Sequence, residues 1–114
     1  MAKSILWKEL DQLSKALAEL DRLRFSEGLS TEDKVEIERR MILLSESERK
    51  LMKNANEEAI LSLEEQINDL KNLKDQFQKK WASVSRFQKN LDAISKVIVT
   101  LIQINKQFVR LRGQ

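Results

Sequence analysis

Two pairs of carboxylates are the residues of this chain with the most obvious chemical use. Glu57-Glu58 is followed seven residues later by Glu64-Glu65, and on an α-helix that spacing places both pairs on one side, two turns apart. Oxygen ligands of this kind bind Mg²⁺ or Ca²⁺ when a second helix supplies further ligands. The other interpretation is an acidic face exposed to solvent. We favour the solvent-exposed face and predict no metal site.

Other side chains suited to catalysis are scarce. The 114 residues include no histidine, cysteine or tyrosine, so acid–base and nucleophilic chemistry would depend on carboxylates and lysines alone. Gly28 and Gly113 are the two glycines, which leaves no glycine-rich loop to bind a phosphate. We therefore predict that the protein is not an enzyme and that it has no cofactor and no small-molecule substrate.

The charge pattern argues against a nucleic-acid partner. The chain has a net charge of +3 and a pI of about 9.3. Its basic side chains alternate with acidic ones four residues away, for example Arg40 after Glu36 and Lys50 after Glu46. Such pairs are typical of the solvent-exposed side of a helix. Binding along a phosphate backbone requires a continuous basic stripe, and the sequence offers only short patches.

Positive charge is concentrated in the last third of the chain. Basic and acidic side chains balance in residues 1–56, residues 57–80 have a net charge of −2, and residues 81–114 have a net charge of +5. Asp92 is the one acidic residue of this last segment, which is also the most apolar part of the chain. A cationic helix that is apolar around most of its circumference is typical of three structures: a central bundle helix, a contact surface for a partner, or a segment inserted into an anionic membrane interface.

Leucine spacing near the start of the chain predicts the elements that position these residues. Five leucines follow one another at intervals of four, three, four and three residues: Leu6, Leu10, Leu13, Leu17 and Leu20. This spacing places one apolar stripe along a helix that packs lengthwise against another. With 34% charged residues and no proline, the composition favours an all-α fold. We predict a single antiparallel helical bundle of three to four helices with coiled-coil-like packing.

Turn signals and changes in heptad phase set the predicted helix boundaries. The predicted helices cover residues 3–26, 31–53, 57–89 and 91–112. Gly28 suits the end of the first helix and Ser30 caps the second, while Asn54-Ala55-Asn56 favours a turn before the third. Two alternatives stay open: a continuous helix through that turn, and fusion of the last two helices across a break expected near Asn90. The long third helix would protrude beyond its shorter neighbours, which favours a homo-oligomer.

Both tryptophans occupy positions typical of a helix seam. Trp81 lies four residues after Phe77 and three before Val84, and Trp7 precedes Trp81 by 74 residues. Over residues 5–91 this arrangement resembles a spectrin-type three-helix repeat, whose first and third helices each carry a seam tryptophan. The short segment before Trp7 and the additional C-terminal helix depart from that pattern. The resemblance implies a scaffold role, and both tryptophans are expected to anchor the core.

The expected function is a non-enzymatic protein-interaction or self-assembly module. Its basic, apolar C-terminal helix would contact another protein or another copy of the chain. The alternative is a membrane-active bundle whose C-terminal helix binds or inserts into anionic lipid. The residues expected to make this contact lie on the second apolar stripe or the basic end of that helix: Val99, Ile102, Lys106, Val109, Arg110 and Arg112.

The lack of a recognisable secretion signal favours a cytoplasmic location, with membrane association as the alternative. Met1 is followed by an amphipathic stretch without the apolar core of a signal peptide, and the absence of cysteine is compatible with an intracellular setting. The longest nearly apolar run, residues 97–104, is far shorter than the ~20 residues that span a bilayer.

Overall fold

The computed structural model describes residues 6–113, and its helices form an antiparallel bundle. The helices are α1 (Trp7–Leu23), α2 (Thr31–Lys53), α3 (Glu57–Lys80) and α4 (Gln88–Arg112), with a short 3₁₀ turn at Ser85–Phe87. α1 packs against α2, α2 against α3 and α3 against α4, and α4 closes the ring by packing against α1. Residues 6–113 contain no strand. The prediction of an all-α antiparallel bundle is therefore confirmed.

Side-chain caps fix the starts of α2 and α3. The Ser30 hydroxyl accepts a hydrogen bond from the Asp33 backbone N–H at 3.1 Å. The Asn56 side chain accepts one from the Ala59 backbone N–H at 2.9 Å. Asn54 is extended, with φ −166° and ψ 113°, so α2 ends before the connection to α3. The predicted turn at residues 54–56 is present, and the alternative of one continuous helix is wrong there.

The third helix ends earlier than the heptad pattern predicts. α3 stops at Lys80 instead of residue 89, and α4 begins at Gln88 instead of residue 91. The break therefore lies within residues 81–87 and not near Asn90, and the fused alternative is wrong.

Aromatic packing is the physical reason for this early break. The ring centroids of Phe77 and Trp81 lie 4.3 Å apart in a stacked arrangement, and those of Trp81 and Phe87 lie 4.6 Å apart. In a continuous helix Phe87 would lie about 15 Å along the axis from Phe77, beyond reach of this cluster. By leaving the helix after Lys80, the chain brings Phe87 onto Trp81, where all three rings are buried.

Helix lengths remove one sequence argument for a homo-oligomer. α2, α3 and α4 have 23, 24 and 25 residues, so no long third helix protrudes from the bundle. α1 is shorter, with 17 residues, and ends at Leu23 instead of residue 26. The predicted start of the first helix at residue 3 lies outside the described residues. Any self-association therefore depends on the surface of the bundle and not on a protruding helix.

The predicted leucine stripe of α1 faces the core over most of its length. Leu10, Leu13 and Leu20 are buried, whereas Leu6 and Leu17 are half-buried at the edge of the core. α4 contributes the residues that are fully inaccessible to solvent on its side of the core: Ile94, Leu101, Ile104 and Phe108. One side of α4 is thus part of the bundle interior.

The two tryptophans have opposite environments. Trp81 is buried, as predicted, but the side chain of Trp7 is 65% exposed, so the expectation that Trp7 anchors the core is wrong. Trp7 follows Leu6 directly, and one residue turns a helix by about 100°. Because Leu6 belongs to the core-facing stripe, Trp7 points away from it.

Polar pairs set the register between α2 and α3. The Ser47 and Ser62 hydroxyl oxygens lie 2.8 Å apart, and Arg40 Nε lies 3.2 Å from Asp69 Oδ2. Arg40 and Ser47 are seven residues apart on α2, and Ser62 and Asp69 are seven residues apart on α3. Seven residues correspond to about two helical turns. Because α2 and α3 run in opposite directions, both pairs form in a single alignment of the two helices.

Candidate functional site

A groove between α3 and α4, which we call the basic groove, contains most of the residues predicted to contact a partner. It is lined by Glu64, Ile67, Asn68 and Lys71 of α3 and by Ile102, Asn105, Lys106, Val109 and Arg110 of α4. Ile67 is buried and Ile102 is half-buried against the core, while Val109 is 51% exposed. Exposed lysine and arginine side chains flank these apolar residues. The groove therefore offers an apolar floor with charged rims.

The structure brings four of the six predicted contact residues into this groove. They are Ile102, Lys106, Val109 and Arg110. Val99 lies three residues before Ile102, so it is a neighbour on the same side of the helix, and its side chain is 54% exposed. Arg112 is exposed as well. Two residues turn a helix by about 200°, so Arg112 lies nearly opposite Arg110 and apart from the groove.

Cations of the basic groove have no carboxylate partner in the part of the chain that the structure describes. Within residues 6–113, none of the ion pairs includes Lys71, Lys106 or Arg110. Glu64 is the one acidic residue in the lining. The groove therefore carries excess positive charge that no ion pair among the described residues compensates.

Some cations in other parts of the bundle are paired, whereas others, such as Lys50 and Lys79, belong to no ion pair within residues 6–113. Arg24 binds the carboxylates of Asp21 and Glu38, which joins α1 to α2. Lys80 Nζ lies 2.7 Å from Asp33 Oδ1. These pairs stabilise the fold and use charge that would otherwise be available to a partner, which distinguishes them from the cations of the basic groove.

The two carboxylate pairs of α3 face two different grooves. Glu64 lines the basic groove. The other three carboxylates line a groove between α2 and α3, which we call the acidic groove, together with residues of both helices: Leu43, Glu46, Lys50, Glu57, Glu58, Leu61, Ser62, Glu65 and Gln66. In the part of the chain that the structure describes, no three acidic side chains lie close enough to hold a metal ion.

A third groove, between α1 and α4, was not predicted from the sequence. Ala16, Ala93 and Val97 contribute to its lining, with Lys15, Lys89 and Lys96 among its polar residues. Short alanine side chains on both helices leave space between them, and this was the one available signal for the groove. Its charge is mixed, because Glu19 and Asp92 also line it.

Two ionisable side chains outside the grooves have shifted pKa values. The hydrogen bond that Lys80 donates to Asp33 raises the pKa of the Lys80 ammonium, and the charges of Asp33 and Glu32 act in the same direction against partial desolvation. Burial raises the pKa of the Glu48 carboxyl, and the nearby charge of Arg49 opposes this shift. Neither side chain lines one of the three grooves. We therefore expect these pKa shifts to affect the pH dependence of folding stability and not binding in a groove.

Over the described range 6–113, no helix combines the length and the hydrophobicity needed to cross a membrane. Comparisons with protein-family models, with curated proteins and with solved structures gave no match to this chain. The resemblance to a spectrin-type repeat is therefore without support from these comparisons, and the exposed Trp7 departs further from that pattern.

Proposed function

We propose that this protein is a non-enzymatic helical-bundle module that binds another protein, or a copy of itself, through the basic groove and the adjoining exposed surface of α4. The observation that carries this proposal is a groove in which Ile102 and exposed Val109 lie beside Lys106 and Arg110, two cations without an ion pair among residues 6–113. Exposed Val99 adjoins this groove on the same helix. A partner that covers these residues would bury apolar surface and neutralise charge.

The distribution of ionisable groups supports a non-enzymatic role. The sequence lacks histidine, cysteine and tyrosine, and the carboxylates of α3 diverge into two grooves. Acid–base catalysis requires titratable groups that converge on one reacting position. The grooves described above offer charge and apolar surface, which suit recognition.

Insertion of α4 into anionic lipid is the less favourable alternative. The apolar side of α4 that would insert into a membrane already packs in the core of the bundle. The residues fully buried there are Ile94, Leu101, Ile104 and Phe108. Release of α4 would expose these side chains together with their partners on α1 and α3. Each such side chain contributes about 1.5–3 kcal/mol by its burial, so docking of an intact bundle requires far less free energy than release of the helix.

Affinity purification with matched surface variants tests the proposal. The tagged chain is purified from cells of its native source as wild type, as V99E/V109E and as V35E/I42E. Val35 and Ile42 of α2 are 53% and 54% exposed, against 54% and 51% for Val99 and Val109, so the second variant introduces the same charges at equal exposure.

We expect bound proteins, identified by mass spectrometry, to be lost from V99E/V109E and retained by V35E/I42E. Circular-dichroism melting checks that both variants remain folded, because neither removes a buried side chain. Retention of the same bound proteins by V99E/V109E and wild type would contradict the proposal.

A further inference from the structure

We propose that the partner of the basic groove is the acidic groove of a second copy of this chain. This inference rests on the proposed function and deepens it, because it names the occupant of the same surface. Each copy presents one basic groove, between α3 and α4, and one acidic groove, between α2 and α3. Copies then join through unlike surfaces.

Charge in the acidic groove complements charge in the basic groove. The lining carboxylates of Glu46, Glu57, Glu58 and Glu65 outnumber the single cation Lys50. None of these five side chains belongs to an ion pair among residues 6–113. Three unpaired cations and one carboxylate line the basic groove. Opposite charges of this kind steer association and fix the register of two surfaces.

Apolar residues within the two grooves have matching spacing. Leu61 lies three residues after Glu58 and four before Glu65, so the three side chains form one stripe along α3, and Leu61 is 51% exposed. Ile102 and Val109, seven residues apart, form a stripe of the same two-turn length on α4. A leucine flanked by carboxylates on one copy can therefore contact an apolar pair flanked by cations on the next.

Contact between two identical surfaces is disfavoured by charge. α4 has no acidic residue after Asp92, so two basic grooves placed face to face would oppose cations of the same sign. Two acidic grooves would oppose carboxylates in the same way, and like charges in contact across an interface are destabilising. A contact between unlike surfaces leaves one free groove of each kind on the pair, so further copies can add until a ring closes.

The first measurement is the molar mass of the full chain by light scattering as a function of concentration and salt. We expect the mass to rise above the 13.4 kDa of the monomer with concentration at about 20 mM salt and to fall back at about 500 mM, because salt screens the charges between copies. A mass that stays at 13.4 kDa at every concentration overturns the inference.

Two variants separate the surfaces. K106Q/V109S/R110Q removes the charges and one apolar side chain of the basic groove, and the control K34Q/V35S/R39Q removes the same residue types from an exposed part of α2. We expect the first variant to remain monomeric and the control to associate like wild type. Equal association of both variants overturns the inference.

The second variant, E58Q/L61S/E65Q, alters the acidic groove alone, and we expect it to be monomeric when measured by itself. Mixed at equal concentrations with K106Q/V109S/R110Q, it retains the basic groove that the other variant lacks. The mixture should therefore form one-to-one dimers of about twice the monomer mass. A contact between identical surfaces predicts instead that one of the two variants still associates when measured by itself, because it keeps the groove that both copies use. That outcome, or a mixture that stays monomeric, overturns the inference.

The outcomes distinguish this inference from the function on which it rests. If wild type is monomeric at all concentrations while V99E/V109E still loses a bound protein that V35E/I42E retains, the basic groove is a docking surface for a different protein. In that case the second copy is rejected as the partner and the proposed function stands. If wild type associates, V99E/V109E associates equally well and this variant also retains the same bound proteins as wild type, both are rejected.

Discussion

Nζ of Lys80 lies 2.7 Å from Oδ1 of Asp33, which joins the last residue of α3 to the first turn of α2. Asp33 is buried, and its position in the first turn places the carboxylate near the positive end of the α2 helix dipole. Lys80 is an exposed residue at the opposite, negative end of α3. The pair therefore connects two helix ends that have complementary partial charges.

K80M should lower the melting temperature at pH 7, since it leaves the buried carboxylate of Asp33 without its partner. The raised pKa of Lys80 means that this stabilisation is complete below the ordinary lysine value of 10.5 and is lost as pH rises through the folded pKa. The difference between wild type and K80M should thus shrink above pH 10.5. K79M removes a neighbouring exposed cation without an ion pair and should melt like wild type; equal losses from both variants would contradict the assignment.

W81A should destabilise the bundle by about 3–5 kcal/mol, because it removes the central ring between Phe77 and Phe87 and leaves a cavity. W7A should change the free energy of unfolding by no more than about 0.5 kcal/mol, as expected for an exposed side chain. Denaturant unfolding followed by circular dichroism measures both values. Similar values for the two variants would show that the environments of the tryptophans are assigned wrongly.

L13A should cost about 2–5 kcal/mol, since Leu13 is fully buried. L17A should cost less, because Leu17 is only half-buried at the edge of the core. K15A, on the exposed side of α1, serves as the control and should cost well under about 1 kcal/mol, since its ion pair with Asp11 is solvent-exposed. A larger loss from L17A than from L13A in chemical denaturation would rule out this orientation of α1.

E48Q should stabilise the protein at neutral pH. Burial raises the folded pKa of Glu48 above its ordinary value of 4.5, so the folded state binds this proton more tightly than the unfolded state. Stability then falls as pH rises from 4.5 through the folded pKa. The advantage of E48Q over wild type, followed by thermal melting, should disappear as pH is lowered toward 4.5. The exposed control E27Q should show no such trend, and a pH-independent gain for E48Q would exclude the burial of its carboxylate as the cause.

Local signals in the sequence were sufficient to predict the turn between α2 and α3. They were insufficient to predict where the chain breaks between α3 and α4. Asn54 and Asn56 have side chains that favour turns and caps, and they do end and start helices here. The break after Lys80 has no glycine or proline, and the heptad phase runs through Phe77 and Trp81 without interruption. Stacking of Phe87 on Trp81 decides the break, and this contact forms only in the folded chain.

The same distinction explains what could be predicted of the candidate site. Ile102, Lys106 and Val109 share one side of α4 by their spacing, so helical periodicity alone places them together. The acidic groove depends on which side of α3 faces α2, and this follows from the pairing of Ser47 with Ser62 across the two helices. The pattern of a single helix does not contain that information. The sequence therefore predicted one acidic face for the four carboxylates of α3, whereas the structure places Glu64 in a different groove from the other three.

Closure of the helix ring also has a kinetic consequence. α2 and α3 are neighbours in sequence across the turn at residues 54–56, whereas the contact of α1 with α4 joins nearly the two ends of the chain. Closing a longer loop costs more conformational entropy and contributes later in folding. We therefore expect the α2–α3 hairpin to form first and the α1–α4 seam to form last. Local opening of the native protein should begin at that seam, where backbone amides would exchange hydrogen with solvent sooner than those of the hairpin.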